Sequence, residues 1–147
     1  MSWWPFSGPL ATGTAAPDFT LPDQLGRSVH LADLHGHNVV LVFYPGDDTT
    51  VCRRQLCEFR DAWEPARQSN TLIFGVNPQS ADSHQRFIER YSFRFPLLVD
   101  HGKRVASLYK AGGLIVRRTV YLIDPGGVIR YARRGKPPID EVLAATR

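Results

Sequence analysis

The sequence predicts an α/β fold, in which a mixed central sheet is flanked by helices and a β-hairpin lies near the N-terminus. Two apolar runs, at 38–44 and 71–76, show no polar alternation, which is typical of strands buried on both faces. Helical patterns alternate with such runs, as they do in sheets covered by helices. A tight turn at 124–127 then joins two further strands as a hairpin.

The first third of the chain contains the N-terminal hairpin and the central strand. Residues 18–21 alternate polar and apolar side chains, and the turn residues at 22–26 separate them from a second short strand at 28–31. The run at 38–44 reads NVVLVFY and is the predicted central strand. Turn-forming residues at 45–49 predict a loop directly after it.

The rest of the chain alternates helices with strands. The patterns predict helices at 50–67, 80–91, 103–109 and 140–146, and strands at 71–76, 95–99, 119–123 and 128–132. Ser80 or Asp82 is a suitable N-cap for the helix at 80–91. No linker, repeat or low-complexity tract interrupts this series.

The 147 residues suffice for one hydrophobic core, which we assign to a single domain at 16–147. Residues 1–15 are interpreted as a partly ordered tail, because Gly, Pro, Ser and Thr follow Trp3, Trp4 and Phe6. The opening residues lack the charged start and long apolar segment of a secretory signal, so we expect a cytoplasmic protein. No apolar run approaches the roughly 20 residues that span a membrane.

Charge and cysteine content exclude several classes of function. The net charge is +4, but the basic residues are scattered in pairs and form no stripe of the kind that binds nucleic acid. A secreted disulfide scaffold would carry more than two cysteines. A structural zinc site needs four ligands, and the five histidines offer no second pair at ligand spacing. We therefore expect no structural zinc site.

Cys52 lies at the predicted start of a helix, directly after the loop that follows a buried strand. Unpaired backbone N–H groups at that end of a helix stabilise an anion, and the thiolate is the nucleophilic form of cysteine. Arg53 and Arg54 add positive potential, and Thr49 brings a hydroxyl that is able to donate to the sulfur or to a bound oxygen. The alternative is a small, inert cysteine in the core.

Cys57 follows five residues later, so the same helix would hold both cysteines. Helix geometry then separates their Cα atoms by roughly 8–9 Å, beyond the roughly 7 Å that a disulfide spans. Either the two cysteines never bond, or the helix unwinds locally after Cys52 is oxidised. The spacing alone leaves both possibilities open.

The residues around Cys52 resemble those of a known family. Pro45, Thr49 and Cys52 match the Pro-x-x-x-Thr-x-x-Cys pattern of the peroxiredoxins, and the Cys-x4-Cys spacing to Cys57 is similar to the bacterioferritin-comigratory or Q-type branch. The resemblance covers nearly the whole chain from Ala16, through the blocks APDFTLPDQLG, VVLVFYP, GVNPQSADSHQRF, FPLLVD and RTVYLIDPGGVIR.

This resemblance implies a thioredoxin-like fold and the reduction of peroxides without a metal or organic cofactor. It assigns Cys52 as the peroxidatic cysteine and Cys57 as the resolving cysteine that forms an intramolecular disulfide. Pro45 shields the sulfur, Thr49 hydrogen-bonds the peroxide, and Arg118 is the active-site arginine. It further implies recycling by thioredoxin or a similar dithiol protein, and a monomer or weak dimer.

Some positions need separate interpretation. Neighbouring residues of a strand point to opposite faces, so we expect Arg117 to be a solvated charge while Arg118 faces the site. Thr50 and Val51 stand where the family often has Pro and Gly, and Gln55 stands where an acidic residue is common. These departures remove no reacting atom, but they bear on the stability of the helix start.

Two other functions remain as alternatives. A thiol–disulfide oxidoreductase or redox sensor on the same fold usually carries Cys-x-x-Cys, which is absent here. A non-catalytic binding or holdase module, with both cysteines inert, draws support from the basic charge and the aromatic N-terminus. If the structure showed the Cys52 sulfur shielded from solvent and Arg118 pointing elsewhere, the protein would not be assigned as an enzyme.

Overall fold

The central sheet of the computed structural model, which describes residues 8–146, has five strands. These are β3 (Asn38–Phe43), β4 (Thr71–Asn77), β5 (Leu97–Val99), β6 (Thr119–Ile123) and β7 (Ile129–Arg134). Their order is β5-β4-β3-β6-β7, with β3, β4 and β5 parallel and with β6 and β7 each antiparallel to the preceding neighbour. The predicted mixed sheet is therefore confirmed.

The N-terminal hairpin consists of β1 (Thr20–Pro22) and β2 (Ser28–His30), which pair antiparallel in a separate two-stranded sheet. Buried Asp23 closes the turn, since its carboxylate accepts the backbone N–H groups of Leu25 and Arg27, both at 2.9 Å. The hairpin is present as predicted, with shorter strands.

Part of the predicted tail contacts the domain. The backbone N–H of Leu10 donates to the Tyr121 hydroxyl at 2.9 Å, and that of Gly13 donates to the Ile129 carbonyl at 2.7 Å. Residues 10–16 thus run beside the β6–β7 hairpin. The aromatic residues Trp3, Trp4 and Phe6 lie outside the described residues.

The helices are α1 (Thr50–Asp61), α2 (Trp63–Gln68), α3 (Ala81–Tyr91), α4 (Arg104–Leu108) and α5 (Ile139–Ala144), with 3-10 turns at Leu31–Leu34 and His101–Lys103. The single helix predicted at 50–67 is broken at Ala62, because the ring of Pro65 would clash with the carbonyl of Asp61 in a continuous helix. Ser80 caps α3 by accepting the Ser83 N–H at 3.1 Å. No helix within residues 8–146 has the length and apolar character needed to cross a membrane.

The sheet separates two hydrophobic cores, and β3 contributes to both. Val39, Leu41 and Phe43 face the core that contains the hairpin and α4. Val40 and Val42 face the other core, which contains Cys52 and apolar residues of α1, α2, α3 and α5. Side chains alternate between faces along a strand, so burial of both faces explains the uninterrupted apolar run.

Candidate active site

The start of α1 holds Cys52 just beyond the carboxyl end of β3. Thr49 is the N-cap residue with an extended backbone, but its side chain makes no capping hydrogen bond. Cys52 is the third residue of α1, in the turn whose backbone N–H groups lack intrahelical acceptors, and that turn contains no acidic residue. This position favours negative charge on the sulfur. The exposed residue Thr49 and the half-buried Pro45 belong to the same loop.

Arg118 points directly at this thiol. It lies immediately before β6, where Thr119 pairs with Phe43 at the end of β3, so the sheet brings it beside the loop. Its Nη2 donates to the Sγ of Cys52 at 3.2 Å. Its neighbour Arg117 is half-buried and has contacts of its own, so it is not the fully solvated charge that the sequence suggested.

Gln55 is a site residue whose role the sequence reasoning missed. Its side chain is 1% exposed and lies three residues after Cys52 on α1. Its Oε1 accepts from Arg118 Nη1 at 2.9 Å, while its Nε2 donates to the Gly135 carbonyl at 3.2 Å. The amide is thus fixed from both sides, and it orients the guanidinium. The three-residue helical spacing from Cys52 was the available signal.

The two cysteines are free thiols in different environments. Cys52 has no exposed surface, whereas Cys57 is half-buried. Burial raises the pKa of the Cys57 thiol, and the nearby guanidinium of Arg60 opposes that increase. Both residues lie within the single helix α1, so the structure represents the dithiol state. A buried Cys52 sulfur together with an Arg118 that points elsewhere would have argued against an enzyme. The sulfur is buried, but Arg118 points at it, so that combination is not present.

A buried polar network fixes the loop between β3 and α1. The carboxylate of Asp47 accepts hydrogen bonds from the Tyr44 hydroxyl at 2.7 Å, Asn77 Nδ2 at 3.0 Å, Ser83 Oγ at 2.7 Å and His84 Nδ1 at 2.6 Å. Burial opposes ionisation of Asp47, but these hydrogen bonds, led by that of His84, lower its pKa. An ionised Asp47 therefore anchors the loop to β4 and α3.

The imidazole of His84 has acceptors on both sides. Its Nδ1 faces the Asp47 carboxylate, and its Nε2 lies 2.9 Å from the Leu98 carbonyl oxygen. Both ring nitrogens thus lie within hydrogen-bond distance of an acceptor, and these contacts hold the ring between the loop and β5. No local sequence pattern indicates the pair of Asp47 and His84, since the two residues are 37 positions apart along the chain.

Within residues 8–146, no group of three or more His, Cys, Asp or Glu side chains is arranged to hold a metal ion. The groups that the structure and the loop sequence offer for chemistry are the thiol of Cys52, the guanidinium of Arg118 and the hydroxyl of Thr49. Together they can carry a nucleophilic attack by sulfur and stabilise negative charge on a leaving oxygen.

Comparison with known proteins finds relatives of one family. The profile of the AhpC/TSA family matches residues 12–132. The chloroplastic peroxiredoxin Q of rice (Oryza sativa subsp. japonica) is 38% identical over 131 residues, which cover 84% of this chain and 59% of the rice protein. The putative peroxiredoxin bcp of Coxiella burnetii is 36% identical over 131 residues, which cover 82% of this chain and 85% of that protein. This chain thus spans less than two thirds of the length of its rice relative.

A solved structure shows the same fold. The crystal structure of peroxidoxin BcpB from Mycobacterium tuberculosis superposes with a TM-score of 0.87 at 30% identity, covering 94% of this chain and 97% of that chain. The sheet, the hairpin and the helices thus form the thioredoxin-like fold that the resemblance implied. With a family profile that matches most of the sequence, these similarities show that the chain belongs to the AhpC/TSA family, among the peroxiredoxins of the Q or bacterioferritin-comigratory type.

Proposed function

We propose that this protein is a thiol-dependent peroxidase that reduces hydrogen peroxide and organic hydroperoxides through Cys52. The observation that carries the proposal is the 3.2 Å contact of Arg118 Nη2 with the Cys52 sulfur in the first turn of α1. Helix N-terminus and guanidinium together favour the thiolate, which is the form that attacks a peroxide.

The first step transfers one oxygen atom from the peroxide to the sulfur. The thiolate of Cys52 attacks the terminal oxygen of ROOH, the O–O bond breaks, and the RO⁻ that leaves takes a proton to become ROH. Arg118 stabilises the charge on the leaving oxygen, and the Thr49 hydroxyl hydrogen-bonds the bound peroxide. Cys52 is left as a sulfenic acid. Pro45 limits access of water to the sulfur.

The second step joins the two cysteines. The thiol of Cys57 attacks the sulfenic sulfur of Cys52, so that a disulfide forms and water leaves. Both cysteines lie in α1, and their Cα atoms are about 8–9 Å apart in a regular helix, so this step requires local unwinding. A dithiol protein such as thioredoxin then reduces the disulfide by exchange.

Burial of Cys52 favours a peroxidase over a thiol–disulfide oxidoreductase. Its sulfur has no exposed surface in the dithiol state, so a protein disulfide cannot reach it without a rearrangement of α1. A small peroxide needs only a local opening. We place the cycle in a reducing compartment such as the cytoplasm, since it requires a dithiol reductant, and we expect a monomer or weak dimer.

Thiol counting and mass spectrometry after one equivalent of peroxide test the proposal. We expect the wild-type protein to lose two hydrogens and both free thiols. Cys57→Ser should gain one oxygen atom at Cys52, and Cys52→Ser should consume no peroxide by this route. Peroxide consumption by Cys52→Ser at the wild-type rate would contradict the proposal, and so would two thiols that stay free, as the holdase alternative requires.

A further inference from the structure

The loop just before α1 and the last turn of α1 contact the same residue, Tyr91, which ends α3. The Tyr91 hydroxyl donates to Asp48 Oδ1 at 2.8 Å, and Asp48 lies directly before the N-cap Thr49. The Tyr91 backbone carbonyl accepts from Arg60 Nη1 at 2.9 Å, close to the C-terminal end of α1. Cys57 lies between these two contacts along the chain. We call Asp48, Arg60 and Tyr91, together with Arg53 beside Asp48, the Tyr91 clamp.

Neighbouring groups reinforce the clamp at its N-terminal end. Arg90 Nη1 donates to Asp48 Oδ2 at 2.7 Å, and Arg53 Nη1 lies 3.7 Å from Asp48 Oδ1. Asp48 has a positive φ of 58°, which is unfavourable for a residue with a side chain, so these contacts hold a strained backbone. The Tyr91 ring packs edge-on against buried Phe87 with centroids 5.6 Å apart, so core packing fixes its position.

Disulfide formation has to disturb this arrangement. The segment between Cys52 and Cys57 must unwind before the two sulfurs meet, because a regular helix keeps their Cα atoms about 8–9 Å apart. Unwinding that segment shifts Arg60 relative to Arg53 and Asp48. Since Tyr91 belongs to α3, unwinding of the segment between Asp48 and Arg60 moves these two residues relative to each other and strains their shared contact with Tyr91.

We propose that the Tyr91 clamp sets the rate at which α1 unwinds, and thereby divides oxidised Cys52 between two fates. In one, Cys57 attacks the sulfenic acid to give the disulfide and water. In the other, a second peroxide molecule oxidises the sulfenic acid to a sulfinic acid and is itself reduced to ROH. This inference rests on the proposed peroxidase function.

Two conservative variants test the clamp at its two ends. Tyr91→Phe removes the hydroxyl but keeps the ring packing, and Arg60→Lys removes the guanidinium but keeps a positive charge near Cys57. We expect each to accelerate disulfide formation about fivefold, the factor that one net hydrogen bond contributes. In stopped-flow traces the first, peroxide-dependent phase should stay unchanged and the second, peroxide-independent phase should become faster. The yield of sulfinic acid at high peroxide should fall in both variants.

Two controls have defined outcomes. Arg67→Gln breaks an exposed ion pair with Glu64 within α2 and should leave both phases unchanged. Lys136→Met removes the exposed ion pair between Lys136 and Glu58 of α1, and it should accelerate the second phase less than Tyr91→Phe does. Equal acceleration by Lys136→Met would show that any contact of α1 has this effect, and would overturn the special role of Tyr91.

Hydrogen exchange distinguishes local unwinding from general destabilisation. In both clamp variants, amides at 53–60 should exchange faster while those of β3 stay protected. Equal acceleration in α1 and β3 would overturn the inference, as would an unchanged second phase in both variants. In those cases the first phase still supports the peroxidase function. Absence of the first phase in the unaltered protein would instead remove the proposed function and the clamp's role with it.

Discussion

Gln55 provides a direct test of how the protein orients Arg118. Its Oε1 accepts from Arg118 Nη1 at 2.9 Å, while its Nε2 donates to the Gly135 carbonyl at 3.2 Å. We expect Gln55→Met, which keeps the side-chain length and removes both hydrogen bonds, to slow the oxidation of Cys52 by peroxide. Without its amide acceptor, the guanidinium is free to rotate away from the sulfur.

The size of the effect follows from the kind of hydrogen bond that is lost. A hydrogen bond to a charged group contributes about 1.5–3 kcal/mol. If that energy keeps Arg118 on the sulfur, its loss corresponds to a decrease of roughly 10- to 150-fold in the oxidation rate. Gln55 is only 1% exposed, so its replacement also leaves the Gly135 carbonyl without this donor. We expect the free energy of unfolding to fall by about 1–3 kcal/mol.

A double-mutant cycle with Arg118→Met separates positioning from a general effect. The assay is the second-order rate constant of the peroxide-dependent phase, measured by stopped flow in the four proteins of the cycle. If Gln55 acts only through Arg118, Gln55→Met should have almost no effect once Arg118 is replaced. An equally large loss in the Arg118→Met background would refute the reasoning, because Gln55 would then act on the thiol by another route.

Other predictions concern the arginine pair, the resolving thiol and the loop anchor. Arg118→Ala should slow Cys52 oxidation about 100-fold or more, and Arg117→Ala much less; equal rate constants in stopped flow would contradict the contact with the sulfur. Burial raises the pKa of Cys57 in the folded helix above its value in the unwound segment. The protonated thiol therefore stabilises the folded helix at low pH, and this stabilisation is lost as the pH rises through the raised pKa. The disulfide-forming phase should accelerate in that alkaline range, and a flat profile would exclude this coupling. Asp47→Asn should lower the free energy of unfolding by about 1–3 kcal/mol, because an amide cannot accept all the hydrogen bonds that the buried carboxylate receives; a denaturant midpoint like that of the wild type would contradict the anchoring role of Asp47.

The sequence predicted the sheet better than it predicted the helix that carries the site. The run at 38–44 is apolar throughout because both faces of β3 are buried, and that cause is visible in the residues themselves. The predicted helix at 50–67 ended too late, because the effect of Pro65 reaches back to the carbonyl of Asp61 and no other local signal marks the break at Ala62.

The site depended on contacts that local patterns do not encode. Cys52 was identified from its place after a strand and at the start of a helix, which is local information. Its partner Arg118 was assigned only through the family resemblance, since the antiparallel pairing of β6 with β3 is what brings the two together. The Asp47–His84 pair escaped detection for the same reason, because it joins a loop to α3 across the core.

The helix α1 has to satisfy two opposed requirements, and its composition reflects both. It must stay folded to present Cys52 at its N-terminus beside Arg118, and it must unwind for Cys57 to reach Cys52. Thr50 and Val51 begin the helix with two β-branched residues, which lose side-chain freedom there, and Val51 is 48% exposed and so recovers little by packing. Intrinsic propensity thus favours unwinding of the first turn. The contacts of α1 with Arg118 and Tyr91 supply the opposing stability. Of the two, only Arg118 contacts the sulfur, so a change at Tyr91 can alter unwinding without altering the reacting thiol.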